Sequence, residues 1–149
     1  MKIRNTLVAA ATFVSLFSTA GVASAVSADL VPIPSRLAFG VVSVRNVGDG
    51  ASRPSVVTIN CHKEGMRGGC AEIPARFAPN YTNPAYPNKL VVNVPALAPG
   101  HVYNHNLPFW GGLVWASGTY NFDFVADAGA AVAESNEANN TGTYVKVVP

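Results

Sequence analysis

Between Gly118 and Asp127 the chain alternates strictly, with Tyr120, Phe122 and Phe124 on one side and Asn121 and Asp123 on the other. A period of two puts one set on a buried face of a strand and the other on a wet face. The same style runs through most of the chain. Asp29–Ile33 reads as a first strand, ending at the Pro32/Pro34 pair, which suits an edge. Leu37–Val47 reads as a second, with Val42 and Val44 set against Ser43 and Arg45. Ser55–Cys61, Lys89–Val94, His101–Leu107, Gly118–Asp127 and Thr143–Val148 complete the series. Between them stand turn formers such as Gly48-Asp49-Gly50 and Leu97-Ala98-Pro99-Gly100. No convincing helical stripe follows residue 25. Seven short alternating strands predict an all-β, immunoglobulin/fibronectin-III-like sandwich of antiparallel strands, with a closed barrel as the runner-up.

The first 25 residues follow other rules. Lys2 and Arg4 are followed by the apolar run Leu7–Phe17 and the small residues Ala23-Ser24-Ala25. This three-part pattern is a secretory signal peptide, cut after Ala25 to leave a mature chain starting at Val26. The apolar run is too short to cross ~30 Å of hydrocarbon as a helix, and no lipobox cysteine sits near the cut. Residues 26–149 then form a single domain, long enough to bury its own core. Two of the ten Lys and Arg lie in the signal and all eight Asp and Glu follow it, so the mature domain is formally neutral. A neutral domain has no field to steer it onto phosphates, and nucleic acid is excluded as a partner.

Cys61 and Cys70 are the only cysteines, and the destination is oxidising. They are expected to form one disulfide. The chain-entropy model credits a loop of that length with about 2.7 kcal/mol. From His62 to Asn88 the alternation stops. The segment holds Pro74, Pro79, Pro84 and Pro87 with Tyr81 and Tyr86. An irregular excursion this long inside a small domain is usually functional or mobile.

Three stretches carry a resemblance: Asp29-Leu30-Val31; Val42-Ser43-Val44-Arg45-Asn46-Val47-Gly48; and Gly118-Thr119-Tyr120 through Asp127 to Glu134-Ser135-Asn136-Glu137-Ala138-Asn139-Asn140. Together they resemble the bacterial cell-adhesion-related domain, CARDB, over residues 29–148. The resemblance implies an immunoglobulin-like, non-catalytic module of surface or secreted proteins. The excursion from Cys61 to Asn88 departs from that pattern.

Candidate chemistry is sparse. Asp127, Glu134 and Glu137, with Asn136, Asn139 and Asn140, could gather the oxygens a Ca²⁺ needs. Short Asp and Asn side chains also brace long turns through backbone N–H groups, and bracing is the favoured reading here. His101 and His105 stand about 13 Å apart along a strand, too far to share a metal ion. No Gly-x-Ser-x-Gly elbow or phosphate-binding glycine loop occurs, so an enzyme is not expected and no cofactor is assigned. Among the aromatics, Trp110 is expected in the core, while Trp115 stays open between core and ligand contact. Tyr81 and Tyr86, flanked by proline, are expected at the surface as ligand-binding residues. Two functions fit: an exported binding or adhesion module for a protein or surface polysaccharide, or a disulfide-stapled inhibitor of a secreted or host enzyme. A segment built of loop residues should also be removable without unfolding the sandwich.

Overall fold

The computed structural model describes residues 26–66, 68 and 70–149, so the proposed signal peptide lies outside the described residues. Seven strands form two antiparallel sheets: β1 (Leu30–Pro32), β2 (Val41–Asn46), β3 (Ser55–Lys63), β4 (Leu90–Val94), β5 (Val102–Asn106), β6 (Gly118–Val125) and β7 (Thr141–Val148). One sheet has the order β1-β2-β5 and the other β4-β3-β6-β7. This is an open sandwich rather than a barrel, with the core between the sheets.

Alternation places the core. On β6, Tyr120, Phe122 and Phe124 are buried, and they meet Val57 and Ile59 of β3 and Val92 and Val94 of β4. Leu30, Val42 and Val44 approach from the other sheet. Tyr120 brings a hydroxyl with it and donates it to the Ala116 carbonyl at 2.8 Å. The polar tip is therefore satisfied while the ring is 1 % exposed.

Most strand boundaries shift by one to four residues from the sequence reading, and three of the shifts have a clear local cause. Leu37–Phe39 was expected in the second strand but belongs to a 3-10 segment, Pro34–Phe39. Pro34 presets its first turn, and Gly40 ends it at φ 71, donating its N–H to the carbonyls of Arg36 and Leu37. Leu37 is still buried, so its apolar character was informative and its backbone state was not. β3 runs on to Lys63 because its ladder with β6 continues to the pair Lys63↔Tyr120. β6 stops at Val125, since Asp127 turns the chain at φ 43.

The β1–β2 end is organised around Asn46. Its side chain is fully buried. Nδ2 donates to the carbonyls of Gly50 at 2.7 Å and Leu97 at 2.9 Å, while Oδ1 accepts the N–H groups of Asp29 and Gly48, both at 3.1 Å. Its backbone also reaches the turn before β5, bonding to Gly100 and His101. Gly48 has to be glycine here, because a Cβ would sit 2.4 Å from the Ser27 carbonyl oxygen.

Replacing Asn46 with Ala leaves four backbone groups without their partner, at about 1–3 kcal/mol for each that stays dry. Asn46→Ala is expected to lower stability by at least ~3 kcal/mol, read as a drop in the urea midpoint at unchanged m-value. Asn46→Asp should also destabilise, because it removes both donors.

Candidate functional site

The excursion starts as a continuation of β3 and is stapled at once by the Cys61–Cys70 disulfide. Beyond it, one helical turn, Ala78–Tyr81 (α1), has proline in its first turn. The turn sets Phe77 and Tyr81 on one side, four residues apart, and both meet Phe109. Ring centroids are 5.4 Å apart for Phe77–Phe109 and 5.0 Å for Tyr81–Phe109. Tyr81 is only 6 % exposed. The expectation that it lies at the surface is therefore corrected: Pro79 opens a helical turn that drives the ring inward, where a run of prolines had suggested an outward loop. Tyr86 is half-buried, at the far side of the segment.

Between this segment and the sandwich lies a half-open cleft of about 1070 Å³. Its floor includes Ile59 and Phe122, the disulfide forms part of one wall, and Tyr86, Trp110 and Trp115 also line it. Trp110 and Trp115 sit 5.5 Å apart at 57°, and both pack against Phe122, at 5.6 and 5.8 Å. Both indoles are half-buried. Trp110, expected in the core, packs against the edge of the core and also walls the cleft; it presses on Gly40, where a Cβ would meet its side chain at 2.7 Å. The Lys146 ammonium lies 5.8 Å from the Trp115 ring centroid. Of the three aromatic ligand-binding residues expected, two line the cleft, and Tyr81 stands behind it. Phe109, Ile73 and Leu90 also line it and were missed. The four-residue spacing of Phe77 and Tyr81 was the available signal that this segment folds inward.

The acidic hairpin is a hydrogen-bonded brace. Asp127 accepts the N–H groups of Ala131 at 3.1 Å and Val132 at 2.8 Å. Glu137 accepts the Glu134 N–H, Asn136 accepts that of Ala138, and the Asn140 amide donates to both glutamates at 3.2 Å. Glu134 also accepts the Leu30 N–H, tying the hairpin to β1. Burial pushes the Glu134 carboxyl up; the bond from Leu30 opposes this, and Glu137, Asp127 and Asp29 add to it. Among the described residues no three His, Cys, Asp or Glu side chains stand close enough together to hold a metal ion. His62 lies 3.5 Å from Asp123 on the wet face of the four-stranded sheet. His105 is half-buried between two tyrosine hydroxyls, Tyr81 at 3.0 Å and Tyr103 at 3.2 Å.

The model of the CARDB family matches residues 35–144, well over half of the chain. No curated protein and no solved structure matches it.

Two outcomes follow from this geometry. Tyr81→Ala should cost about 3–5 kcal/mol in denaturant unfolding, the range for deleting a buried aromatic ring. Excising Ala75–Pro87 removes Phe77 as well, so it should destabilise the sandwich rather than leave it untouched. For Glu134 the folded value is raised above the unfolded one, so its contribution is complete below the unfolded value and is lost as pH rises through the folded one. Relative to Glu134→Gln, the wild type should therefore gain stability as pH falls from neutrality through the raised folded value toward the ordinary carboxylate value of 4.5, measured by paired urea titrations.

Proposed function

The chain belongs to the CARDB family of non-catalytic, adhesion-related bacterial domains, and on that premise we propose that it is an exported binding module whose recognition site is the cleft beneath the 62–88 excursion. The cleft is the observation behind this reading. It is concave and mostly apolar, and it is walled by Tyr86, Trp110 and Trp115, residue types that dominate binding energy when they are held rigid. The indoles are held by each other and by Phe122, so little side-chain freedom is left to lose on contact. The ligand is a surface polysaccharide or a protein of the cell exterior.

Export is part of the same proposal. Residues 1–25 act as the signal peptide, and residues 26–149 form the mature domain, in the periplasm or outside the cell. The disulfide supports this, because such bonds persist in oxidising compartments. Among the described residues no helix is long and apolar enough to cross a membrane.

The test is retention of the purified mature protein on cell-envelope preparations. Trp115→Ala and Tyr86→Ala, each verified as folded by circular dichroism, should weaken retention at least tenfold, equivalent to about 1.4 kcal/mol. Absence of wild-type retention, or unchanged retention by the folded variants, would overturn the reading. N-terminal sequencing of the exported protein should begin at Val26.

A further inference from the structure

We propose that His105 is a pH-sensitive latch that holds the excursion onto the sandwich. The latch joins two independent pieces of chain. β5 sets Tyr103 and His105 two residues apart on one face, and α1 of the excursion delivers Tyr81 to the same imidazole. The Tyr81 hydroxyl lies 3.0 Å from Nε2 and the Tyr103 hydroxyl 3.2 Å from Nδ1. The rings of Tyr81 and His105 meet edge-on, with centroids 5.6 Å apart.

A neutral imidazole fits this arrangement. It has one N–H and one lone pair, so one hydroxyl accepts from it while the other donates to it. An imidazolium does not fit. It donates from both nitrogens, and the hydroxyl that had been a donor loses its acceptor and must turn its proton away. No negative charge repays the change. The residues beside the ring are Asn80 and Tyr81 of the excursion, Val92 and Asn93 of β4, Tyr103 of β5 and, across the ladder, Val42 of β2. Among them only the tyrosines titrate, and burial raises the Tyr81 hydroxyl further from the neutral range. No described carboxylate lies within ion-pairing distance of His105.

Burial holds the His105 imidazole below its ordinary 6.5. A histidine with a depressed folded value contributes stability above the unfolded value and loses it as pH falls through the folded one. What gives way is the single turn α1, because the other neighbours of the ring are held in β-ladders. Ala78 of this turn and Thr82 directly after it also line the cleft, so acid loosens one wall of it. That use of the opening rests on the cleft being the recognition site, but the latch itself does not.

Amide hydrogen exchange of the mature protein, corrected for intrinsic rates and read from pH 7.5 to 5.0, tests the latch without any ligand. Exchange at Phe77–Tyr86 should rise on acidification while β3 and β6 stay protected. The rise is at most tenfold for each unit separating the closed and open imidazole values. In His105→Gln this pH dependence should vanish, and in Tyr81→Phe exchange should already be high at pH 7.5. An unaltered pH profile in His105→Gln would overturn the latch. If that variant does not fold, NMR titration of the wild-type imidazoles decides: His105 must titrate below 6.5 and in step with the exchange. A His105 value at or above 6.5 rules the latch out.

Discussion

One buried amide sets the conditions under which this sandwich can close. Asn46 satisfies four backbone groups that would otherwise be dry: the carbonyls of two separate turns, and the N–H groups of Asp29 and Gly48. Apolar packing between the sheets is the larger driving force, but it is non-directional and would tolerate several ways of ending β2. The amide tolerates one. It offers two donors and two lone pairs at fixed angles, so the Gly48–Gly50 turn and the Leu97 turn must arrive together. Glu134 acts similarly on the other side of β1, where its carboxylate holds the Leu30 N–H across 104 residues of sequence. A strand of three residues is too short to hold itself, and these two side chains keep it in place.

The excursion illustrates how one segment can be both wall and filling. Its inner side, Phe77 and Tyr81, completes the packing around Phe109, and its outer side shapes the cleft with Tyr86. The two roles are coupled because the buried Tyr81 and the cleft-lining Ala78 share one helical turn, flanked by Phe77 and Thr82. Any movement that reshapes the cleft therefore works against buried aromatic contacts and against the hydrogen bond between Tyr81 and His105. Rigidity in the cleft is thus borrowed from the core, and the proposed recognition role draws on it because preordered walls lower the ordering cost of a contact.

Periodicity in the sequence located all seven strands, because a two-residue repeat is local and survives in any one-sided sheet. It also gave the turn at Gly100, which adopts φ 75 as a glycine there allows. It failed where local chemistry is ambiguous. Leu37 is apolar and adjacent to an alternating run, yet Pro34 and Gly40 bound a 3-10 turn. Tyr81 looked exposed because proline usually marks loops, and the same residue also starts helical turns. The acidic hairpin was legible as a brace, since Asp and Asn bond to neighbouring backbone. Its tie to Leu30 was not legible, because nothing local encodes a partner so distant. The same holds for the cleft: Tyr86, Phe109 and Trp115 converge only after the sheets have packed.

The Cys61–Cys70 bond, described above as a staple on the excursion, also has a mechanical meaning. One cysteine belongs to a central strand and the other to the chain leaving it, nine positions later. Under tension applied through the two ends of the domain, the chain between them cannot lengthen even after every strand has peeled away. That withholds roughly 25 Å of extension, the segment's reach at ~3.4 Å per residue less the 6.1 Å that the bridged Cα atoms already span. The first residues of the excursion therefore stay beside the end of β3 in a stretched domain, and re-forming the cleft after release begins from a loop already closed.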